Sequence, residues 1–191
     1  MTAWHWVRHA PTHETAFVGW RDVPADLSDR ARIARLDAAL PVGALLVSSD
    51  LSRAVATADA LAGGRTRLPH AADLREFNLG DWDGLRFDVV AARDPDLSRR
   101  YWEEPGDVAP PGGESWNAAA ERVAGFVDRI NAAHPEAEII AVAHIGVILT
   151  QIQRASSCTA YEALAHEIGN LSVTHLVHEG GWRVEAINRC P

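Results

Sequence analysis

The sequence predicts an α/β fold, a three-layer sandwich in which helices cover both faces of a mostly parallel central sheet. Short apolar runs typical of buried strands alternate along the chain with segments of helical period. The 191 residues are 47% hydrophobic, which is enough for one sizeable core. Composition changes nowhere abruptly, and no internal repeat is visible. We therefore expect residues 1–191 to form a single domain.

The first elements follow directly from the apolar pattern. Residues 4–7 predict a buried strand. Residues 27–40 carry apolar side chains at helical spacing and predict a helix. Ser28 is a plausible N-cap, and Pro41 ends the helix. Residues 44–47 predict the second strand. The alternation of strand and helix starts here.

A second helix and a third strand continue the pattern. Ser49 or Asp50 can cap a helix that ends at the pair Gly63 and Gly64. A third strand is predicted at residues 66–68. Both elements are short, as expected of a compact α/β unit.

Residues 80–113 lose this periodicity. They are rich in Asp, Pro, Gly and aromatic residues, including Trp82, Tyr101 and Trp102. We expect an excursion over the sheet and over the site that the strand ends form, with these aromatic side chains as candidates for a pocket wall.

The last third of the chain returns to regular alternation. Ser115 can cap a helix after a Pro-Pro-Gly-Gly turn. The pattern then predicts a helix at 116–133, a strand at 138–143, a helix at 147–154, and closing strands at 172–177 and 182–187.

Charge and cysteine content limit the classes of partner. A formal net charge of -8 argues against nucleic acid and anionic membrane as general partners. Cys158 and Cys190 lack zinc-site spacing, so we expect a reducing, cytoplasmic setting. No secretion signal precedes the first strand, and no apolar run approaches membrane-spanning length.

Cationic residues follow three of the predicted strands. Arg8 and His9 follow the first, Arg53 lies in the helix after the second, and His144 follows the strand at 138–143. Ligands of open α/β sheets bind beyond these strand ends, and arginine forks match phosphate oxygens. Glu76 could supply the acid that a leaving group needs. This set predicts phosphate chemistry.

These stretches resemble the histidine phosphatase superfamily, also called the phosphoglycerate mutase-like proteins. Within it, the chain is most similar to small phosphatases such as α-ribazole phosphatases. The resemblance covers nearly the whole chain. The similar stretches are Val-Arg-His-Ala-Pro-Thr at 7–12, 49–58 around Arg53, 74–84 around Glu76, Pro-Gly-Gly-Glu-Ser at 111–115, 142–147 around His144, and 170–174.

The resemblance implies a phosphatase that needs neither metal nor cofactor and acts on a small phosphate ester. His9 is the implied nucleophile, and Glu76 the acid and later the base. Dimers are common in the family, so a homodimer is an open expectation. The implied substrate-binding residues are Arg8, Arg53, His144 and Thr15.

Two positions depart from the family pattern. The glycine of the first motif is Ala10, and the glycine expected after the last histidine is Ile145. A β-branched residue cannot easily adopt a positive φ, which puts the backbone or the pocket shape there in question. We expect altered substrate preference rather than lost chemistry.

Several alternatives stay open at this point. Asp73, Asp81 and Asp83 lie near Glu76 and compete for the acid role. The spacing of His5, His9 and His13 would suit a metal site only on a helix, which Pro11 and the strand pattern argue against. Phosphoglycerate mutase-type transfer, or a catalytically weak phosphate-binding module, are the alternative functions.

Overall fold

The computed structural model describes residues 1–191, which are organised around one six-stranded sheet of order β3-β2-β4-β1-β5-β6. The first four strands pair in parallel, and the last two are antiparallel. The strands are β1 (Thr2–Arg8), β2 (Leu45–Ser48), β3 (Thr66–Arg67), β4 (Glu138–Ala143), β5 (Val173–His178) and β6 (Trp182–Arg189).

Seven helices accompany the sheet. None of them is long and apolar enough to cross a membrane. The helices are α1 (Arg30–Ala39), α2 (Ser52–Ala60), α3 (Phe87–Arg93), α4 (Pro95–Glu103), α5 (Trp116–Ala133), α6 (Ile145–Ser156) and α7 (Ala160–Leu164).

Two apolar cores lie on opposite faces of the sheet because successive strand residues point to opposite sides. Trp4 and Trp6 of β1 belong to one core, with side chains of α5 and α6. Val7 belongs to the other, with Leu36 of α1 and Ala54 of α2. The predicted three-layer α/β fold is confirmed.

Helix starts differ from the sequence-based expectation. Asp29, not Ser28, caps α1 by accepting a bond from the amide of Arg32. Neither Ser49 nor Asp50 caps α2, which begins at Ser52 without a side-chain cap. The Asp50 carboxylate instead accepts two bonds, of 2.7 and 2.6 Å, from Arg75. The Asp50 side chain is thus bound to Arg75 and does not cap the helix.

The stretch at 80–113 contains helices that its faded periodicity did not reveal. Both α3 and α4 lie there, with Pro95 at the first position of α4, where a missing N–H costs no hydrogen bond. Helix α7 was also missed. Such short helices carry too few turns for a clear apolar period.

The two edges of the sheet are unlike. β3 is only two residues long, whereas β6 has eight. The pairing of β5 with β6 shifts register twice, around His175. Exposed charged side chains alternate along β6, at Arg183, Glu185 and Arg189.

Candidate active site

Parallel strands bring the cationic residues to one edge of the sheet. Arg8 ends β1 and His9 follows it, while His144 follows β4 and precedes α6. Arg53 is the second residue of α2, the helix after β2. Because β1, β2 and β4 are neighbours in the sheet, their carboxyl ends deliver all four side chains to one place.

The His9 ring has a defined proton position. Its Nδ1 lies 2.7 Å from the carbonyl oxygen of Ala10. A carbonyl can only accept, so Nδ1 carries the proton and Nε2 of the neutral ring keeps its lone pair. Burial lowers the pKa of His9 to about 3, the Ala10 bond opposes this, and the charges of Arg53 and Arg8 lower it further. His9 is therefore neutral at pH 7.

His144 lies beside His9 in the interior. The two ring centroids are 5.1 Å apart. His144 is fully buried, and neither ring nitrogen has a hydrogen-bond partner. Burial, then the neighbouring charges, hold its pKa well below the usual range. A neutral ring with an unsatisfied N–H can donate to an incoming oxygen.

The two arginines are held by backbone carbonyls. Arg8 donates from Nη1 to the carbonyl of Ile168 at 2.6 Å. Arg53 donates from Nη2 to Gly19 at 2.7 Å and from Nη1 to Arg21 at 3.1 Å. Burial lowers the pKa of both guanidinium groups, and the Glu76 carboxylate opposes it. Fixed in this way, both present charge without needing to reorganise.

Glu76 is the buried carboxyl group of the site. Its Oε1 accepts from the amide of Phe77 at 3.0 Å, and its Oε2 accepts from the amide of Gly146 at 3.3 Å. Burial raises the pKa of Glu76, although these amides, Arg53 and Arg8 oppose the shift. A raised pKa favours the protonated form that a general acid requires.

A cavity of about 340 Å³ is lined by four of these five groups. Arg8, His9, Arg53 and Glu76 line it, while the fully buried His144 does not. The rival carboxylates Asp73, Asp81 and Asp83 are also absent from the lining.

The substrate-binding prediction for Thr15 has no support from this geometry. The Thr15 side chain is exposed and lies outside the cavity lining. Thr12 and Glu14 of the same loop line the cavity instead. Alternation within an irregular loop cannot be read from sequence, so the pattern gave no means of choosing among these residues.

Sequence reasoning missed the residues that hold the Glu76 loop. Arg122 of α5 donates to the carbonyls of Asp73 at 2.6 Å, Arg75 at 3.1 Å and Glu76 at 3.5 Å. Arg122 also pairs with Glu114, whose Oε1 accepts from the amide of Asn78 at 3.0 Å. Glu114 stood in a recognised motif, but nothing in the sequence marked Arg122.

The structure accommodates both departures from the family pattern. Ala10 is buried and donates its amide to Thr57 Oγ1 at 3.0 Å. Neither Ala10 nor Ile145 has a positive φ, and Ile145 opens α6 with its side chain lining the cavity. Ile145 therefore alters the cavity wall and not the backbone. The glycine that the geometry requires is Gly146, where a Cβ would lie 2.5 Å from Glu76 Oε1.

The sequence profile of the histidine phosphatase superfamily (branch 1) matches residues 5–189. The chain belongs to this superfamily. The resemblance inferred from the motifs is thereby confirmed, although the profile assigns no role to individual residues.

Similar proteins extend this membership of the histidine phosphatase superfamily. The bifunctional protein Rv2228c of Mycobacterium tuberculosis is 34% identical over 176 residues, covering 90% of this chain but 46% of that protein. This chain thus spans about half the length of that relative. A glucosyl-3-phosphoglycerate phosphatase of Mycolicibacterium vanbaalenii is 36% identical over 156 residues, covering 74% of this chain and 68% of that protein.

The fold of this superfamily member also has a near match among solved structures. YhfR of Bacillus stearothermophilus superposes with a TM-score of 0.91 at 27% identity, covering 100% of this chain and 98% of that one. A superposition of this extent shows that the chain has the phosphoglycerate mutase-like fold.

Proposed function

We propose that this superfamily member is a phosphomonoester hydrolase that works through a phosphohistidine formed on His9. The observation that carries the proposal is the hydrogen bond between His9 Nδ1 and the carbonyl of Ala10, which leaves Nε2 as the nucleophilic atom. The side chain lines a cavity that also holds two fixed arginines and a buried acid.

In the first step, His9 Nε2 attacks the phosphorus atom in line with the leaving oxygen. Arg8 and Arg53, which line the cavity, stabilise the negative charge on the equatorial oxygens. His144 lies outside the lining but beside His9, and its unpaired ring nitrogens supply a further donor once the phosphoryl group is bound to His9. The ester P–O bond breaks as the N–P bond forms, and protonated Glu76 gives its proton to the departing alkoxide.

In the second step, water attacks the phosphohistidine and restores the enzyme. Glu76, now a carboxylate, takes a proton from that water as the N–P bond breaks. Inorganic phosphate leaves, and Glu76 is again protonated. The raised pKa of Glu76 suits both roles, because it favours the protonated form that gives up the first proton and makes the carboxylate so formed a stronger base toward water.

The comparisons support a small phosphorylated metabolite as the substrate, since one relative is named a glucosyl-3-phosphoglycerate phosphatase. Phosphoglycerate mutase-type transfer would require cations that retain a second phosphate. Arg8 and Arg53 are the only arginines in the cavity lining, which contains no lysine. Hydrolysis is therefore the better-supported activity.

A cytoplasmic location is part of the same proposal. Cys158 and Cys190 are both free thiols, as a reducing compartment would keep them. Sedimentation of the purified chain would test the homodimer expected from the family.

The test uses purified protein in excess EDTA with p-nitrophenyl phosphate, α-ribazole phosphate and 3-phosphoglycerate. We expect hydrolysis of at least one ester that survives chelation, and its loss in His9→Ala. Rapid quenching with a labelled ester should trap acid-labile phosphate on the wild type alone. Retained hydrolysis in His9→Ala, or dependence on added metal, would contradict the proposal.

A further inference from the structure

The lining of the cavity is mostly apolar and rich in aromatic rings. Twelve of its twenty lining residues are hydrophobic. Phe17 stacks on Trp102 with ring centroids 5.9 Å apart, and Tyr101 contacts Trp102 edge-on with ring centroids 4.8 Å apart. Aromatic surfaces of this kind bind apolar groups through buried area and ring contacts.

This aromatic row continues out of the cavity. Phe87 contacts Phe17 edge-on at 6.3 Å and is 57% exposed. Ile145, at the position where the family has glycine, adds a branched aliphatic side chain to the same lining. The apolar surface therefore runs from the cavity lining through Phe17 to the solvent-exposed Phe87.

The charged residues of the cavity lining also favour a substrate with an apolar group. Arg8 and Arg53 belong to the phosphate-binding set, which leaves no further arginine or lysine in the lining. The additional charged group is the carboxylate of Glu14, which pairs with Arg21 at 2.9 Å. A second anion on the substrate would meet no cation in the lining beyond Arg8 and Arg53, and would face the like charge of Glu14.

Given the hydrolase activity proposed above, we infer that the substrate carries its phosphate on an extended apolar or aromatic group without a second anionic group. This differs from a phosphoglycerate, which has a carboxylate beside its phosphate. Phe17, Trp102 and Phe87 select the apolar group, and Glu14 excludes the anion.

A series of n-alkyl phosphates from ethyl to octyl isolates the contribution of the apolar group to kcat/KM, because the reactivity of the leaving alkoxide hardly changes along the series. We expect kcat/KM to rise about two- to fourfold per methylene while the chain runs along the wall. Trp102→Ala should flatten this slope. Val89→Ala, a partly exposed position outside the lining, is the matched control. Phe87→Ser, at the exposed end, serves if Trp102→Ala does not fold.

Glycerol phosphate and 3-phosphoglycerate isolate the charge contribution, since they differ mainly in a carboxylate. We expect glycerol phosphate to be favoured by about tenfold in kcat/KM. Glu14→Gln should narrow that ratio severalfold. Glu179→Gln, in the exposed turn between β5 and β6, should leave it unchanged.

Calorimetry with n-alkylphosphonates runs in parallel because binding needs no turnover. A flat kcat/KM series with His9-dependent hydrolysis, or a Kd that does not fall with chain length, would overturn the apolar selection. An advantage for 3-phosphoglycerate would overturn the exclusion of anions. If every ester resists hydrolysis while Kd falls with length, the hydrolase proposal fails and the apolar subsite stands.

Discussion

The amide of Gly146 donates to Oε2 of Glu76 over 3.3 Å, and a Cβ at position 146 would lie 2.5 Å from Oε1 of the same carboxyl group. The backbone of Gly146 therefore packs against the carboxyl group of Glu76 with no room for a side chain between them. The acid occupies its position because residue 146 has no side chain.

Gly146→Ala should therefore impair catalysis more than folding. The added methyl group must displace the Glu76 carboxyl, and a displacement near 1 Å can lower kcat by about 100-fold. Steady-state kinetics on a phenyl or alkyl phosphate would measure this. Gly125→Ala is the helical control, since its Cβ meets nothing closer than 3.7 Å. Equal activity of the two variants would contradict the assigned contact.

Glu76→Gln should slow hydrolysis in proportion to how poor the leaving group is. Loss of general acid catalysis costs about 10²- to 10⁴-fold for an alkyl phosphate and much less for p-nitrophenyl phosphate. Burial raises the pKa of Glu76, so wild-type kcat for alkyl esters should fall as pH rises through that pKa. The kcat of the Glu76→Gln variant should not show this fall with rising pH. Equal losses on good and poor leaving groups would remove Glu76 from the acid role.

The buried neutral His9 should make stability depend on pH. Burial lowers its folded pKa to about 3, whereas the unfolded ring titrates near 6.5. The unfolded chain binds the proton first, so stability is full above about pH 6.5 and declines as pH falls toward 3. His9→Gln should remove a slope of about 1.4 kcal/mol per pH unit in that window. Urea unfolding at several pH values would measure it, and parallel curves would contradict it.

Arg122→Met should lower both activity and stability, because it removes the hydrogen bonds that Arg122 donates to carbonyls of the Glu76 loop and to the Glu114 carboxylate. We expect a loss of about 2 kcal/mol in unfolding free energy. We also expect a larger kcat loss on poor leaving groups than on good ones. Arg129→Met is the control two turns along the same face of α5, since its exposed pair with Asp73 should contribute under about 1 kcal/mol. A uniform kcat loss would indicate a structural role alone.

The sequence predicted those parts of the site that depend on strand ends. Arg8, His9 and His144 directly follow apolar runs that could hardly be anything but buried strands, and the parallel topology then brings them together. Fold class followed from the same alternation. Local patterns carried these conclusions because burial on both faces leaves a strong apolar signal.

The rest of the site depends on contacts between distant segments. Arg122 lies on α5 like any partly exposed arginine, and only tertiary packing aims it at three carbonyls. Asp50 shows the same limit, since its bonds to Arg75 replace the cap expected from its sequence position. Glu14 and Thr15 differ by one residue, yet one lines the cavity and the other does not.

The edges of the sheet determine how copies of this chain can meet. β3 is too short to template a further strand, and β6 combines a doubly shifted register with exposed Arg183 and Glu185. Irregular, charged edges of this kind resist strand addition and the cross-β stacking that leads to fibres. A second copy of the chain would therefore find neither edge of the sheet suited to strand pairing.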